Sequence, residues 1–137
     1  MTVVADTGAM YALVDRSDDW HEWVTSWWTA RPRDVLVPVT TLPEITYLLR
    51  CRIGVRAEIA FVRSFGDGEL QWIGLDQADV RRAAELTETY GDTPLGFVDA
   101  SVVAIAERLG AVTILTTDRR HFSVVRPTHA PAFELVP

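Results

Sequence analysis

The sequence predicts an α/β domain, a three-layer α/β/α sandwich around a central parallel sheet, and three observations carry that prediction. Its short strand-like runs are apolar on both faces, as strands covered by two layers of helices must be. Segments of helical spacing separate these runs, the alternation from which parallel sheets are built. The chain of 137 residues is 48% hydrophobic and 23% charged, enough apolar material for one core, and no repeat or linker divides it. Residues 1–137 are therefore read as a single domain.

The elements follow in order. Val3-Val4-Ala5 is an apolar run that turns at Asp6-Thr7-Gly8 into Ala9 to Val14, the pattern of a buried strand feeding a helix. Residues 19–30 place Trp20, Trp23, Trp27 and Trp28 at helical spacing, and Val35-Leu36-Val37 before Pro38 reads as a second strand. Thr41 opens a helix through Cys51 that Gly54 closes, and residues 55–65 make another. Leu70 to Gly74 is strand-like. Residues 78–90 are helical, with Val80, Ala83, Ala84 and Thr87 on one side. Residues 98–109 form the most periodic helix, stopped by Gly110, and Val112 to Leu115 is a strand rich in branched side chains. A last short strand includes Phe133, Leu135 and Val136. Ligand sites of such sheets lie beyond the carboxyl ends of the strands. Asp6 follows the first strand directly, and Asp118 follows Leu115-Thr116-Thr117 in the same way.

Composition removes several classes of function. No stretch approaches the roughly 18 uncharged apolar residues of a membrane span. The opening residues have no basic start and carry Asp6 within their apolar run, so a secretory signal is not expected and a cytoplasmic protein is. The single Cys51 forms no internal disulfide and is expected as a small buried apolar residue. All 13 basic side chains are arginine, and there is neither lysine nor asparagine, a bias expected of a high-GC bacterial source. Mechanisms that need a catalytic lysine are closed to this chain acting alone. A haloacid-type phosphatase, which also begins strand-Asp, fails on that ground and because Gly8 stands where its second acid belongs; a response-regulator receiver lacks its late lysine.

Four acids draw attention, each with a structural alternative. Asp6 is placed to cap a helix, Thr41-Leu42-Pro43-Glu44 matches a capping box, and Asp118 is a suitable turn residue. Asp99 is harder to explain that way, because it shares a helical face with Val102, Val103, Ala106 and Leu109, the stripe that must face the core. An inward carboxylate is costly to desolvate unless it is hydrogen-bonded, paired or bound to a cation. If Asp6 and Asp118 meet at neighbouring strand ends while Glu44 and Asp99 start helices facing the same crevice, four carboxylates converge. A hard divalent cation relieves their repulsion, and oxygen-only ligands favour Mg²⁺ or Mn²⁺. The hydroxyls of Thr7, Thr116 and Thr117 stand close by in sequence.

These residues lie in four segments: Val3-Val4-Ala5-Asp6-Thr7-Gly8, Leu42-Pro43-Glu44-Ile45, Phe97-Val98-Asp99-Ala100-Ser101, and Leu115-Thr116-Thr117-Asp118-Arg119-Arg120-His121-Phe122. In that order, over essentially the whole chain, they resemble the PIN domain family, and within it the VapC toxins of bacterial toxin–antitoxin pairs. The resemblance implies a PIN-like fold, an acidic catalytic quartet of Asp6, Glu44, Asp99 and Asp118, and a site lined by Thr7 and Thr117. It implies a Mg²⁺-dependent endoribonuclease, with Mn²⁺ as a substitute, that cuts tRNA or ribosomal RNA, slows translation, forms a homodimer and is silenced by a VapB-type antitoxin. Asp6, Asp99 and Asp118 would hold the metal, and Glu44 would orient or deprotonate the attacking water. Asp92 matches a recurrent family segment but is read as the N-cap of a helix begun by Pro94. His121 is expected to close its turn by hydrogen bonding, with His21 and His129 on the surface. The rival reading is a PIN-like RNA- or protein-binding module with little or no nuclease activity.

A net charge of −6 is unusual for a protein that binds a polyanion, so local charge must differ from the total. Arg119, Arg120 and Arg126 follow the last acid, and Arg119 and Arg120 are the expected RNA contacts. Arg50, Arg52, Arg56 and Arg63 are read as a solvated helix face or a second basic rim. Of the tryptophan stripe, Trp23 and Trp27 are expected to receive the antitoxin, because aromatic anchors are favoured at interfaces.

Overall fold

In the computed structural model, which describes residues 1–30 and 34–137, the apolar runs form β1 (Thr2–Ala5), β2 (Asp34–Pro38), β3 (Gln71–Ile73), β4 (Thr113–Leu115) and β5 (Glu134–Val136). They make one parallel sheet in the order β3-β2-β1-β4-β5. The helices are α1 (Thr7–Val14), α2 (His21–Ala30), α3 (Leu42–Arg52) after a 3-10 turn at Val39–Thr41, α4 (Val55–Gly66), α5 (Gln77–Thr89), α6 (Phe97–Leu109) and α7 (Arg119–Ser123).

The central strand shows why both faces are apolar. Val4 packs with Ile114 against α5 and α6, whereas Val3 and Ala5 pack with Leu115 against α1, α3 and α4. The two-residue period of a strand thus feeds two cores, one per face, and the three-layer α/β/α expectation holds. Residues 100–106 of α6 are all buried, which explains its continuous apolar character, and Gly110 closes the helix in the left-handed region at φ 66°. Among the described residues no helix is long and apolar enough to cross a membrane.

Three expectations about individual residues are corrected. On α5 the buried residues are Asp79, Ala83 and Leu86, while Val80 faces out. Asp79 turns inward because it completes a reciprocal capping box with Asp76 and pairs with Arg108 of α6 at 2.9 Å, which also donates to the Gly74 carbonyl. Cys51 is exposed: the inner side of α3 is taken by Ile45 and Leu49, and position 51 falls off that stripe. No helix begins at Pro94. Residues 91–94 form a turn, Asp92 is exposed there, and Gly96 precedes α6.

The chain runs from β1 outward through β2 to β3, then crosses back over α5 and α6 to β4 on the other side of β1. The strand order therefore reverses between β1 and β4, and a crevice opens at their carboxyl ends.

Candidate active site

The pairing of Ala5 with Leu115 brings the ends of β1 and β4 level, and the Asp6 N–H continues the ladder by donating to the Leu115 carbonyl at 2.9 Å. Asp6 is thereby fixed at the floor of the crevice, 4% exposed. Its carboxylate accepts from the Thr7 N–H at 2.7 Å and from the Thr116 hydroxyl at 3.0 Å. It caps α1, as its position allowed, yet two donors do not compensate its surroundings. Burial above all, then the charges of Asp99 and Asp118, push its pKa up to about 7 against the pull of Thr7 and Thr116.

Thr116 is buried and serves two acids, because its oxygen also accepts from the Asp118 N–H at 2.8 Å. Asp118 then caps α7 by accepting from the His121 N–H at 3.1 Å. Asp99 sits in the first turn of α6 and points to the same place. The His121 ring Nδ1 lies 2.8 Å from Asp99 Oδ2 and 2.6 Å from Asp118 Oδ2. Both neighbours are acceptors, so Nδ1 carries the hydrogen and donates. The two carboxylates and the ring nitrogen all lie within 4.8 Å of one another. Burial raises the Asp99 pKa, His121 draws it down, and the charges of Asp118 and Glu44 raise it further.

Glu44 completes the group from the first turn of α3. Its Oε1 accepts from the Thr7 hydroxyl at 2.7 Å. The alternative of a capping box with Thr41 is not formed, since the Thr41 hydroxyl donates instead to the Pro38 carbonyl. Thr7 thus couples Glu44 to the Asp6 cap. Thr117 stands against Gly8, where a Cβ would meet its Oγ1 at 2.4 Å, so position 8 stays bare to let the loop after β4 close over the start of α1. The hydroxyl that joins the acids is that of Thr116.

His121 closes its turn as expected, its N–H donating to Asp118, and its ring in addition bridges Asp99 and Asp118. The signal was present: an inward Asp99 without a cation, and a histidine one helical turn after Asp118. His21 and His129, expected as plain surface residues, are pinned by ring bonds to the carbonyls of Ala12 and Ala111.

The arginines divide. Arg119 and Arg120 are both exposed, but Arg119 lies over the Trp20 ring at 5.8 Å and donates to the Pro137 carbonyl. Arg126 is tied to the carbonyls of Ser123 and Val125, Arg50 pairs with Glu58, and Arg52 lies over Tyr11. The tryptophans divide too. Trp27 and Trp28 pack on the core shared by α1, α3 and α4, Trp23 is 69% exposed, and Trp20 precedes α2 in a turn held by Asp18.

Asp6, Asp99 and Asp118 offer oxygens to one crevice, and together they have Thr7, Thr116 and His121 as neutralising donors while the two inner acids are left with raised pKa values. Carboxylate oxygens in excess of their donors fit a hard divalent ion.

Comparison with known proteins places the chain in a family and matches its fold. The PIN domain family model matches residues 3–126. The chain is 33% identical over 135 residues to Ribonuclease VapC26 of Mycobacterium tuberculosis, covering 98% of this chain and 100% of that protein. Among solved structures it is similar to M. tuberculosis VapC20, described as a sarcin-ricin loop cleaving toxin, with a TM-score of 0.80 at 23% identity over 87% of this chain and 92% of that one. VapBC2 from Rickettsia felis, solved bound to a DNA fragment from its promoter, gives a TM-score of 0.72 at 15% identity with both chains fully covered.

Proposed function

The chain belongs to the PIN domain family, within it to the VapC ribonucleases, and from that membership we propose that it is a Mg²⁺-dependent endoribonuclease toxin of a type II toxin–antitoxin system. Its substrate is a tRNA or a ribosomal RNA, and cleavage inhibits translation. It acts in the cytoplasm as a homodimer of single-domain chains and is held inactive by a VapB-type antitoxin. The observation that carries this reading is the meeting of Asp99, Asp118 and the His121 ring beside buried Asp6 at the strand reversal.

Asp6, Asp99 and Asp118 would hold the divalent ion, Mg²⁺ or its substitute Mn²⁺. When bound, such an ion lowers the pKa of water and withdraws charge from a phosphate. The protein's own groups do the rest. Thr116 fixes Asp6 and the backbone of Asp118 together, so two of the acids move as one unit. His121 sets the rotamers of Asp99 and Asp118 through its single N–H. Thr7 occupies one oxygen of Glu44 and leaves the other to take the proton of the attacking water. Arg120, exposed one residue beyond Arg119, offers a charge for the RNA backbone at the rim.

The test is cleavage of total RNA by purified protein, with Mg²⁺ or Mn²⁺ and with EDTA, followed by mapping of the new ends. Fragments are expected only with the cation, with ends in tRNA or ribosomal RNA. Undiminished cleavage in EDTA would overturn the metal mechanism, and RNA binding without cleavage under any cation would favour the binding-module reading. Replacing His121 by alanine is expected to lower cleavage about 10- to 100-fold and to raise the Mg²⁺ concentration needed for half-maximal rate, as loss of a group that orients ligands does. A rate loss with an unchanged Mg²⁺ requirement would show that His121 acts otherwise than on the carboxylates.

A further inference from the structure

Arg119 and the exposed end of the tryptophan stripe meet in a place that neither the acidic site nor the cores account for. A hollow of about 480 Å³ is lined by Asp19, Trp20, Trp23, Arg119 and Pro137. Its position follows from the fold. Val136 of β5 pairs with Leu115 of β4, which carries Pro137 to the carboxyl edge of the sheet, and Arg119 follows Asp118 directly. The hollow therefore opens beside the acidic crevice. The Arg119 guanidinium lies 5.8 Å over the Trp20 ring and is anchored on the Pro137 carbonyl, so one wall is an arginine–aromatic pair already held in place. Trp23, one helical turn further on, leaves 69% of its surface to solvent, whereas tryptophan is ordinarily well buried.

We infer that this hollow stacks an unpaired base of the RNA substrate next to the scissile position, with Trp23 as the platform and the Arg119–Trp20 stack as the opposing wall. The inference rests on the ribonuclease reading above. Single-stranded RNA is recognised by stacking splayed bases on aromatic rings and arginine planes, which needs no net positive charge on the whole protein. That suits a chain of net charge −6 whose Arg119, next in sequence to Asp118, is already tied to a carbonyl. Asp19 in the wall disfavours a phosphate as occupant and leaves the base as the group that fits. Trp27, expected with Trp23 to receive the antitoxin, packs on the core and does not line the hollow.

Binding can be separated from cleavage by working in the full-length Asp99→Asn protein, with short single-stranded oligoribonucleotides containing the fluorescent base 2-aminopurine at successive positions. Quenching is expected at one position, and Trp23→Ala, an exposed change, is expected to abolish it and to weaken binding roughly 5- to 100-fold. Trp23→Phe should restore most of the affinity. Binding by Trp23→Ala within twofold of its parent, or quenching that survives the substitution, would overturn the inference. So would unchanged RNA binding combined with lost affinity for a co-expressed antitoxin, which would assign the hollow to the protein partner. Failure of the ribonuclease reading would be seen separately, as absence of cation-dependent cleavage by the unsubstituted protein.

Discussion

Asp99→Asn is expected to leave a folded protein whose RNA cleavage falls by at least about 10²–10³-fold, the range for losing one preorganised electrostatic group at a reacting centre. The substitution keeps shape and keeps an oxygen that can accept from His121, but removes one of the charges on which a divalent ion depends. Stability should move the other way. Burial is the largest influence on the Asp99 carboxyl and, with the charges of Asp118 and Glu44, raises its pKa against the pull of His121, so an uncharged side chain relieves a net cost of charge at this position. The melting temperature measured without metal should therefore hold or rise while activity disappears. Cleavage within tenfold of the parent protein would remove Asp99 from the catalytic group.

The second large effect is a stability that declines with pH in the metal-free protein. The Asp6 carboxyl titrates near 3.8 in an unfolded chain and at about 7 in the fold. Between those values the folded protein holds a proton that the unfolded chain has released, so this contribution is fully present below pH 3.8 and is lost as pH rises through 7. It amounts to on the order of 4 kcal/mol at most, a melting shift of order 10 °C. Glu107 and Asp15, whose pKa values are lowered, act in the opposite sense only below their ordinary range, so a scan from pH 5.5 to 8 avoids them and follows about half of the Asp6 contribution. A divalent ion competes with that proton, and Mg²⁺ or Mn²⁺ should raise the melting temperature more at pH 8 than at pH 5.5. A melting temperature that rises with pH in EDTA, or an equal gain from the cation at both values, would contradict this account of the site.

Much of the fold was legible because its signals are local. The strand runs were apolar on both faces for the reason now visible in Val3, Val4 and Ala5, and Gly110 stopped α6 where its backbone needed a left-handed residue. What stayed hidden depends on partners distant in sequence. Val80 reads as inward from its spacing, yet Asp79 is the buried residue, because Arg108 on the neighbouring helix makes its burial tolerable. Helical spacing put four tryptophans in line but could not tell which would be covered, and Trp20 left the helix because Asp18 holds its backbone in a turn. The candidate acids were found by their positions after strands and at helix starts. His121 was not, because its role exists only when α6 and α7 lie side by side.

The hydrogen bond from Thr116 to Asp6 spans 110 positions of sequence. In a ribosome-borne chain Asp6, Glu44 and Asp99 are all made before the segment that seats the first of them, and β4, their common abutment, is supplied late. A fragment ending before β4 would therefore carry three of the four acids without the threonine that holds Asp6 or the strand whose ladder Asp6 continues. The acidic group is thus a property of the closed fold, in which an early acid waits for a late hydroxyl.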